Sequence, residues 1–330
     1  MRIALIGKQF SGRTTLLRAL GGSDTIDPGK PVTIPVPDAR LDRLSSYYTP
    51  GRTVYATVTF TDTPSPVYAP RNLTLLQGAA ALALVVDNYA TGDLEGSLAD
   101  SETNLILADL EAAERRMARL RKEGALRSRE YSLLSDVCEH LSEELPLRIM
   151  DLTDDCLQTL LPFGLLSLKP LLVICNRASA PVTEEAALEA MTEAANGRFL
   201  PVDAVFELEL AEIDDDDERA GFLHSIGFDG SALHRLLRES YALLDMITFF
   251  TTGKDEVRAW AVRSGTTALE AAGSIHSDMA RGFIRAQVIP FDVWTECPDK
   301  SDLRSRGALG LEGRDYKVHD GDIIEIRFSV

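Results

Sequence analysis

The sequence predicts an α/β fold: a mainly parallel sheet with an inserted α-helical hairpin, followed by a small C-terminal α+β domain. Three observations lead there. The chain opens on an apolar strand that passes through a glycine-bounded turn into a helical pattern. Two later runs, Ala80-Ala81-Leu82-Ala83-Leu84-Val85-Val86-Asp87 and Pro170-Leu171-Leu172-Val173-Ile174-Cys175-Asn176, have the unbroken hydrophobicity of strands buried on both faces. From about residue 246 onward, short β-branched and aromatic runs alternate with turns.

Arg2-Ile3-Ala4-Leu5-Ile6 is the first strand. Gly7-Lys8-Gln9-Phe10-Ser11-Gly12-Arg13-Thr14-Thr15 follows it and approximates G-x-x-x-x-G-K-[ST], a loop whose backbone N–H groups and helix N-terminus face phosphates. On that reading Gly7, Gln9, Phe10, Ser11, Gly12, Arg13, Thr14 and Thr15 bind phosphate, and the Thr14 hydroxyl stands where a Mg²⁺ ligand belongs. The competing reading is a glycine-rich strand-to-helix turn with no ligand. Arg13 replaces the lysine of the pattern, and a planar guanidinium need not fit a cradle shaped for a compact ammonium. Lys8 sits elsewhere in the loop and is no obvious substitute.

Leu16, Leu17 and Leu20 give the first helix a buried face. Residues 21–37, rich in Gly, Pro, Asp and Thr, read as a loop. Val54-Tyr55-Ala56-Thr57-Val58-Thr59-Phe60 reads as one strand ending at Thr61-Asp62-Thr63-Pro64. Between the two apolar strands, Leu107, Leu110, Ala113 or Glu114, Met117 and Leu120 recur at helical spacing, Gly124 marks a turn, and Leu133, Leu134, Val137 and Leu141 line a second helix. The pattern predicts an antiparallel hairpin, the alternative being an amphipathic pair laid on the sheet. Asp214-Asp215-Asp216-Asp217-Glu218 reads as a negatively charged start to a helix rather than a metal site. Ile247-Thr248-Phe249-Phe250 opens the last domain, and His319-Asp320-Gly321-Asp322 leads as a turn into an edge-like strand, Ile323-Ile324-Glu325-Ile326-Arg327-Phe328. The resulting division is 1–100 and 151–245 for the two parts of the phosphate-binding domain, 101–150 for the hairpin and 246–330 for the C-terminal domain.

With 330 residues, 45% of them hydrophobic, the chain can build two or three domains. A net charge of −17 argues against indiscriminate nucleic-acid binding, and no DNA partner is expected. Residues 246–330 hold 11 basic and 13 acidic residues, so any surface facing nucleic acid is expected there. Arg258, Arg263, Arg281 and Arg285, with Trp260, combine groups suited to phosphates and exposed bases; the competing reading places Trp260 in the core and pairs the arginines with local acids. Cys138, Cys156, Cys175 and Cys297 lack metal-ligand or disulfide-framework spacing and read as reduced. No apolar stretch has the length of a membrane span and no charged n-region precedes the first strand, so a cytosolic protein without a membrane partner is expected.

Several segments together resemble the YchF/Obg-like ATPase family of P-loop proteins. Val36-Pro37-Asp38-Ala39-Arg40-Leu41-Asp42-Arg43-Leu44 is similar to its V-P-D-x-R-L-x-x-L segment, and Ala108-Asp109-Leu110-Glu111 to the start of its helical hairpin. Phe249-Phe250-Thr251, Glu256-Val257-Arg258-Ala259-Trp260, Ala271-Ala272-Gly273-Ser274-Ile275-His276-Ser277-Asp278, Arg281-Gly282-Phe283-Ile284-Arg285-Ala286 and Leu311-Glu312-Gly313-Arg314-Asp315-Tyr316 resemble its closing TGS-type β-grasp domain. The resemblance implies a P-loop NTPase-type fold, binding of ATP in preference to GTP with Mg²⁺, slow hydrolysis, and association with the ribosome or other RNA-containing translation machinery. It implies base contacts from Asn176, Arg177, Asp203 and Ala204, and a metal contact from Asp62 beside Thr14.

Four elements depart from the family. Arg13 replaces lysine; the segment before Pro37 is short, with Thr33 as its candidate switch threonine; D-x-x-G becomes Asp62-Thr63-Pro64-Ser65; and N-x-x-E becomes Asn176-Arg177-Ala178-Ser179. The reading is a degenerate member that acts as a binding or regulatory module. A slow ATPase or GTPase using Arg13 in place of lysine, and a ligand-free scaffold, are the alternatives. Oligomeric state stays open.

Overall fold

The computed structural model describes residues 1–21, 30–87, 93–177, 185–213, 215–225, 231–298 and 309–329. The chain forms two compact units, Met1–Ile34 with Thr59–Leu243, and Pro35–Val58 with Leu244–Val330. Their strands, in chain order, are β1 (Arg2–Ile6), β2 (Pro31–Pro35), β3 (Arg52–Val54), β4 (Thr57–Asp62), β5 (Ala81–Asp87), β6 (Leu171–Asn176), β7 (Arg198–Val202), β8 (Met246–Thr252), β9 (Glu256–Arg263), β10 (Phe283–Pro290), β11 (Gly310–Glu312) and β12 (Asp322–Phe328).

The first unit holds a sheet in the order β2-β4-β1-β5-β6-β7, with β1, β4, β5, β6 and β7 paired in parallel. Every residue of β5 and β6 is buried, as their unbroken apolar sequences require. Ala4, Ile6, Leu82, Leu84, Leu171 and Val173 share one core with Leu94, Leu98 and Leu105 of the helix Leu94–Lys122. Each buried leucine there contributes about 1.5–3 kcal/mol of apolar burial. The hairpin is present. Its second helix is Arg129–Ser142, and Ile106, Ala113, Met117 and Leu120 meet Leu133, Leu134, Val137 and Leu141 in a core of their own. Leu107, assigned to the inner stripe by spacing, is 56% exposed; the stripe starts one residue earlier. Asp109 on the inner side is buried, and its carboxylate accepts hydrogen bonds from Leu166 N (2.6 Å), Ser167 N (2.7 Å) and Ser167 Oγ (2.7 Å), fixing the hairpin to the approach to β6.

Two local expectations change. Residues 21–37 are not all loop, because Pro31–Pro35 forms strand β2 at the sheet edge, where proline is tolerated. The run 54–60 is not one strand but parts of two, β3 and β4, which belong to different sheets. In the acidic run, Asp215 Oδ1 accepts the Glu218 N–H (2.9 Å) at the start of the helix Asp216–Ser225, which is capping geometry; Asp214 lies outside the described residues.

The second unit holds a mixed sheet in the order β11-β10-β12-β8-β9-β3. Strands β10–β11, β10–β12 and β8–β9 pair antiparallel, while β12–β8 and β3–β9 run parallel. The helix Ala268–Ile275, started by a Thr267–Glu270 capping box, buries Ala268, Ala271 and Ala272 against Phe249, Val262, Ala286 and Ile324. A second helix, Ala39–Tyr48, brings Tyr48 to Trp294, whose Nε1–H donates to the tyrosine hydroxyl (3.2 Å). Residues 35–58 therefore belong with the C-terminal sheet, whereas the sequence-based division leaves them in the first domain. Strand β12 is interior rather than edge-like, lying between β10 and β8, with Ile323 and Ile324 both buried.

Candidate phosphate-binding site

The site lies at the C-terminal end of β1, in the first unit. Gly7 has φ +141° and Gly12 φ +95°, conformations that favour glycine. A Cβ on Gly7 would overlap the Val85 carbonyl, and one on Gly12 would overlap the Asn176 amide, so both positions also lack room for a side chain. Phe10 holds φ +69° and is 84% exposed at the loop tip. The first bond of the helix Arg13–Gly21 runs from Leu16 N to the Gly12 carbonyl (2.9 Å), so the amides of Arg13, Thr14 and Thr15 precede the helical ladder and face outward along the axis. Gln9, Ser11, Gly12, Arg13, Thr14 and Thr15 line a cleft of 470 Å³ with Asp62, Thr63 and Ser65. A larger cleft of 730 Å³, bordered by Arg148, Asn196, Arg198 and Glu239, contains none of the predicted site residues.

The Arg13 side chain turns onto the segment after β4. Its Nη1 donates to the Thr63 carbonyl (2.7 Å) and stands 3.2 Å from Asp62 Oδ1, and its Nη2 donates to Ser65 Oγ (3.3 Å). The Thr14 hydroxyl donates to Asp62 Oδ2 (3.0 Å). Burial pushes the Arg13 pKa below its ordinary value, partly countered by the Asp62 charge. Asn72, which sequence reasoning missed, secures the same segment: its buried Nδ2 donates to Pro64 O (2.6 Å) and Pro66 O (2.8 Å). Arg71 Nη2 adds a bond to Ser65 O (3.0 Å). A polar residue just inside the helix Pro70–Gln77, after a proline-rich turn, was the only signal for this role. Lys8 pairs with Asp100 (2.9 Å). Thr33 lies in β2, with its hydroxyl 3.0 Å from that of Thr59.

The residues expected at the base are close to the loop and engaged internally. Asn176 Nδ2 donates to Ser11 O (2.9 Å) while its Oδ1 accepts the Ala204 N–H (3.1 Å), clamping the phosphate loop to the helix Ala204–Ala211. Asp203 caps that helix, accepting from Val205 N (3.2 Å) and Phe206 N (3.0 Å). Arg177 Nη1 contacts both carboxylate oxygens of Glu185 at 3.2 Å. Ser179 lies outside the described residues.

In the second unit the four arginines fall into two groups. Arg258 stacks over Trp260 (4.9 Å) and pairs with Glu256 (3.0 Å), and Arg263 ends the same strand, β9. Trp260 is half-buried and donates to Thr251 Oγ1 (3.0 Å). Arg281 pairs with Asp278, and Arg285 is exposed on β10. Strands β12 and β8 lie between β9 and β10, a lateral separation of about 14 Å at ordinary strand spacing.

A phosphate chain fits the first site. Its cradle is closed against side chains at Gly7 and Gly12, and Ser11 Oγ and Thr63 Oγ1 are buried without a hydrogen-bond partner beside it. A divalent ion is opposed here by charge: Asp62 Oδ2 takes the Thr14 hydroxyl, and Oδ1, which is buried and accepts no hydrogen bond, faces the Arg13 cation at 3.2 Å.

Residues 246–329 match the family profile YchF-GTPase_C, described as a protein of unknown function (DUF933). A relative from Pasteurella multocida (strain Pm70), named ribosome-binding ATPase YchF, is 32% identical over 362 aligned positions that span 100% of this chain and 99% of the relative. The protein of the same name from Bacillus subtilis (strain 168) is 31% identical over 363 positions, spanning 99% of this chain and 98% of the relative. The fold is that of the Schizosaccharomyces pombe YchF GTPase, with a TM-score of 0.89 at 23% identity, covering 99% of this chain and 97% of that one. A GTP-binding protein from Pyrococcus horikoshii OT3 is also similar, with a TM-score of 0.67 at 19% identity and full coverage of both chains. Identity of this extent over the whole length, together with the matching C-terminal segment, shows that the chain belongs to the YchF family.

Proposed function

We propose that this protein is a ribosome-associated nucleotide-binding module of the cytosol whose site binds ATP or GTP weakly and turns over little. The names of its relatives, ribosome-binding ATPase YchF, support the partner and the ligand class. The orientation of Arg13 carries the rest: the cation in the lysine position is aimed at Asp62 and Thr63 rather than at the cradle. Phosphoryl transfer depends on positioned charge at the transferring group, so a cation tied to a carboxylate contributes little to it. Weak base discrimination follows from Asn176, whose amide is spent inside the fold. The C-terminal sheet, read as a TGS-like domain, supplies the ribosome-facing surface. A slow ATPase or GTPase with Arg13 acting as the lysine would require the guanidinium to leave Asp62.

Titration of purified, nucleotide-free protein with ATP and GTP tests this reading. Dissociation constants well above micromolar with little preference between the bases are expected; an ATP constant at or below about 1 μM with strong preference over GTP overturns it.

A further inference from the structure

We propose that this site takes the phosphate chain of its nucleotide free of divalent metal, with Arg13 standing at Asp62 where a metal ion would have to bind. The proposal rests on the nucleotide-binding reading above and adds the form in which the nucleotide is held.

Thr14 and Asp62 are the two residues expected to reach a magnesium ion, and the structure joins them through the 3.0 Å bond from the Thr14 hydroxyl to Oδ2, while Asp62 Oδ1 is buried and accepts no hydrogen bond. The other carboxylate oxygen stands 3.2 Å from Arg13 Nη1. Both side chains of that ion pair are more than nine-tenths buried, at 9% and 4% exposure, so water screens them little. A divalent ion entering here meets a carboxylate whose charge is already neutralised and a guanidinium that repels it. Among the described residues no group of three His, Cys, Asp or Glu offers it another seat. The phosphate side of the cleft is different. Glycine-enforced backbone, the outward amides of Arg13, Thr14 and Thr15, and the unpartnered hydroxyl of buried Ser11 offer donors that need no metal to bridge them.

Isothermal titration of the full-length protein with ATP, ADP and inorganic tripolyphosphate, each in excess Mg²⁺ and in EDTA, tests this. The expected result is binding in EDTA equal to or tighter than in Mg²⁺. An affinity raised about tenfold or more by Mg²⁺, a difference of roughly 1.4 kcal/mol, overturns the metal-free form while leaving nucleotide binding intact. Absence of binding by all three ligands in both conditions overturns the nucleotide-binding reading and this proposal together. Arg13→Lys, with a compact ammonium that releases the Thr63 and Ser65 contacts, is expected to make binding Mg²⁺-dependent. The wild-type comparison decides the matter if that variant does not fold.

Discussion

Arg13 Nη1 stands 3.2 Å from Asp62 Oδ1 and donates to the Thr63 carbonyl at 2.7 Å, so the residue in the lysine position is a structural tie between the phosphate loop and the end of β4. With Asn72 and Arg71 holding Pro64, Ser65 and Pro66 from the other side, the segment that follows β4 is gripped at each of its carbonyls from 63 to 66. A loop held this way moves only by giving up several hydrogen bonds at once.

Truncating Arg13 should therefore cost stability in its own right. Arg13→Ala leaves the buried Asp62 carboxylate without its counter-charge, a loss of about 3–5 kcal/mol for a broken buried pair. Asp62→Asn in the same chain should recover part of the loss, because the charge to be compensated is gone. Urea unfolding of the wild type, both single variants and the double variant measures the coupling. A cost below about 1 kcal/mol for Arg13→Ala would show that the ion pair is loosely held.

The second tie joins Asn176 to the loop across 165 residues of sequence. Asn176→Ala strands the Ser11 carbonyl and the Ala204 N–H, at about 1–3 kcal/mol for each buried group left unpaired. Gly12→Ala should be damaging for two reasons, the positive φ and the overlap with the Asn176 amide. In the Asn176→Ala background only the first reason remains, so Gly12→Ala should cost less there than in the wild type. Strictly additive costs in denaturant unfolding would rule out the overlap as a cause.

Local pattern explains what the sequence reveals and what it hides. Gly7 and Gly12 announce the loop because a tight turn needs them wherever the rest of the chain goes, and β5 and β6 announce themselves because both of their faces are apolar. The destination of Arg13 is invisible in sequence, since Asp62 and Thr63 lie about fifty residues away on another strand. The same holds for residues 35–58. Arg40 is held by the neighbouring Asp38, but also by Asp320, 280 positions later, and it is long-range contacts of this kind that reveal which sheet its helix joins. Strand β12 reads as an edge because Glu325 and Arg327 alternate with isoleucine; Arg327 instead donates to Gln287 Oε1 (2.9 Å) on β10, which keeps a charged residue within an interior strand.

One pH effect has a definite sign. Glu270 accepts hydrogen bonds from Thr267 N (2.7 Å) and Thr267 Oγ1 (2.8 Å), which hold its pKa below the ordinary carboxylate value. A lowered folded-state pKa means that the capping box stabilises the helix Ala268–Ile275 above the unfolded-state value of about 4.3 and loses that contribution as pH falls through the folded-state pKa. The group is exposed, so the effect is small, under about 1 kcal/mol. Carbon-13 NMR titration of Glu270 should give a midpoint below that of a free glutamate, and Glu270→Gln should narrow the stability gap between neutral and acidic solution. A midpoint at or above the free value would mean that the capping box does not form in solution.

The last prediction separates the four arginines by what they already touch. Arg258 and Arg281 are engaged with Glu256 and Asp278, whereas Arg263 and Arg285 are exposed and form no ion pair among the described residues. A guanidinium free of local acids loses nothing when it meets a phosphate, so ribosome binding should fall more for Arg263→Ala and Arg285→Ala than for Arg258→Ala and Arg281→Ala. Each phosphate contact removed should also lower the slope of log K against log salt by about 0.7–0.9. With two strands between them, Arg263 and Arg285 share no partner, and their effects should add in the double variant. Co-sedimentation with ribosomes over a salt series measures all three quantities. Unchanged binding and salt slope in the double variant would move the contact surface off this sheet.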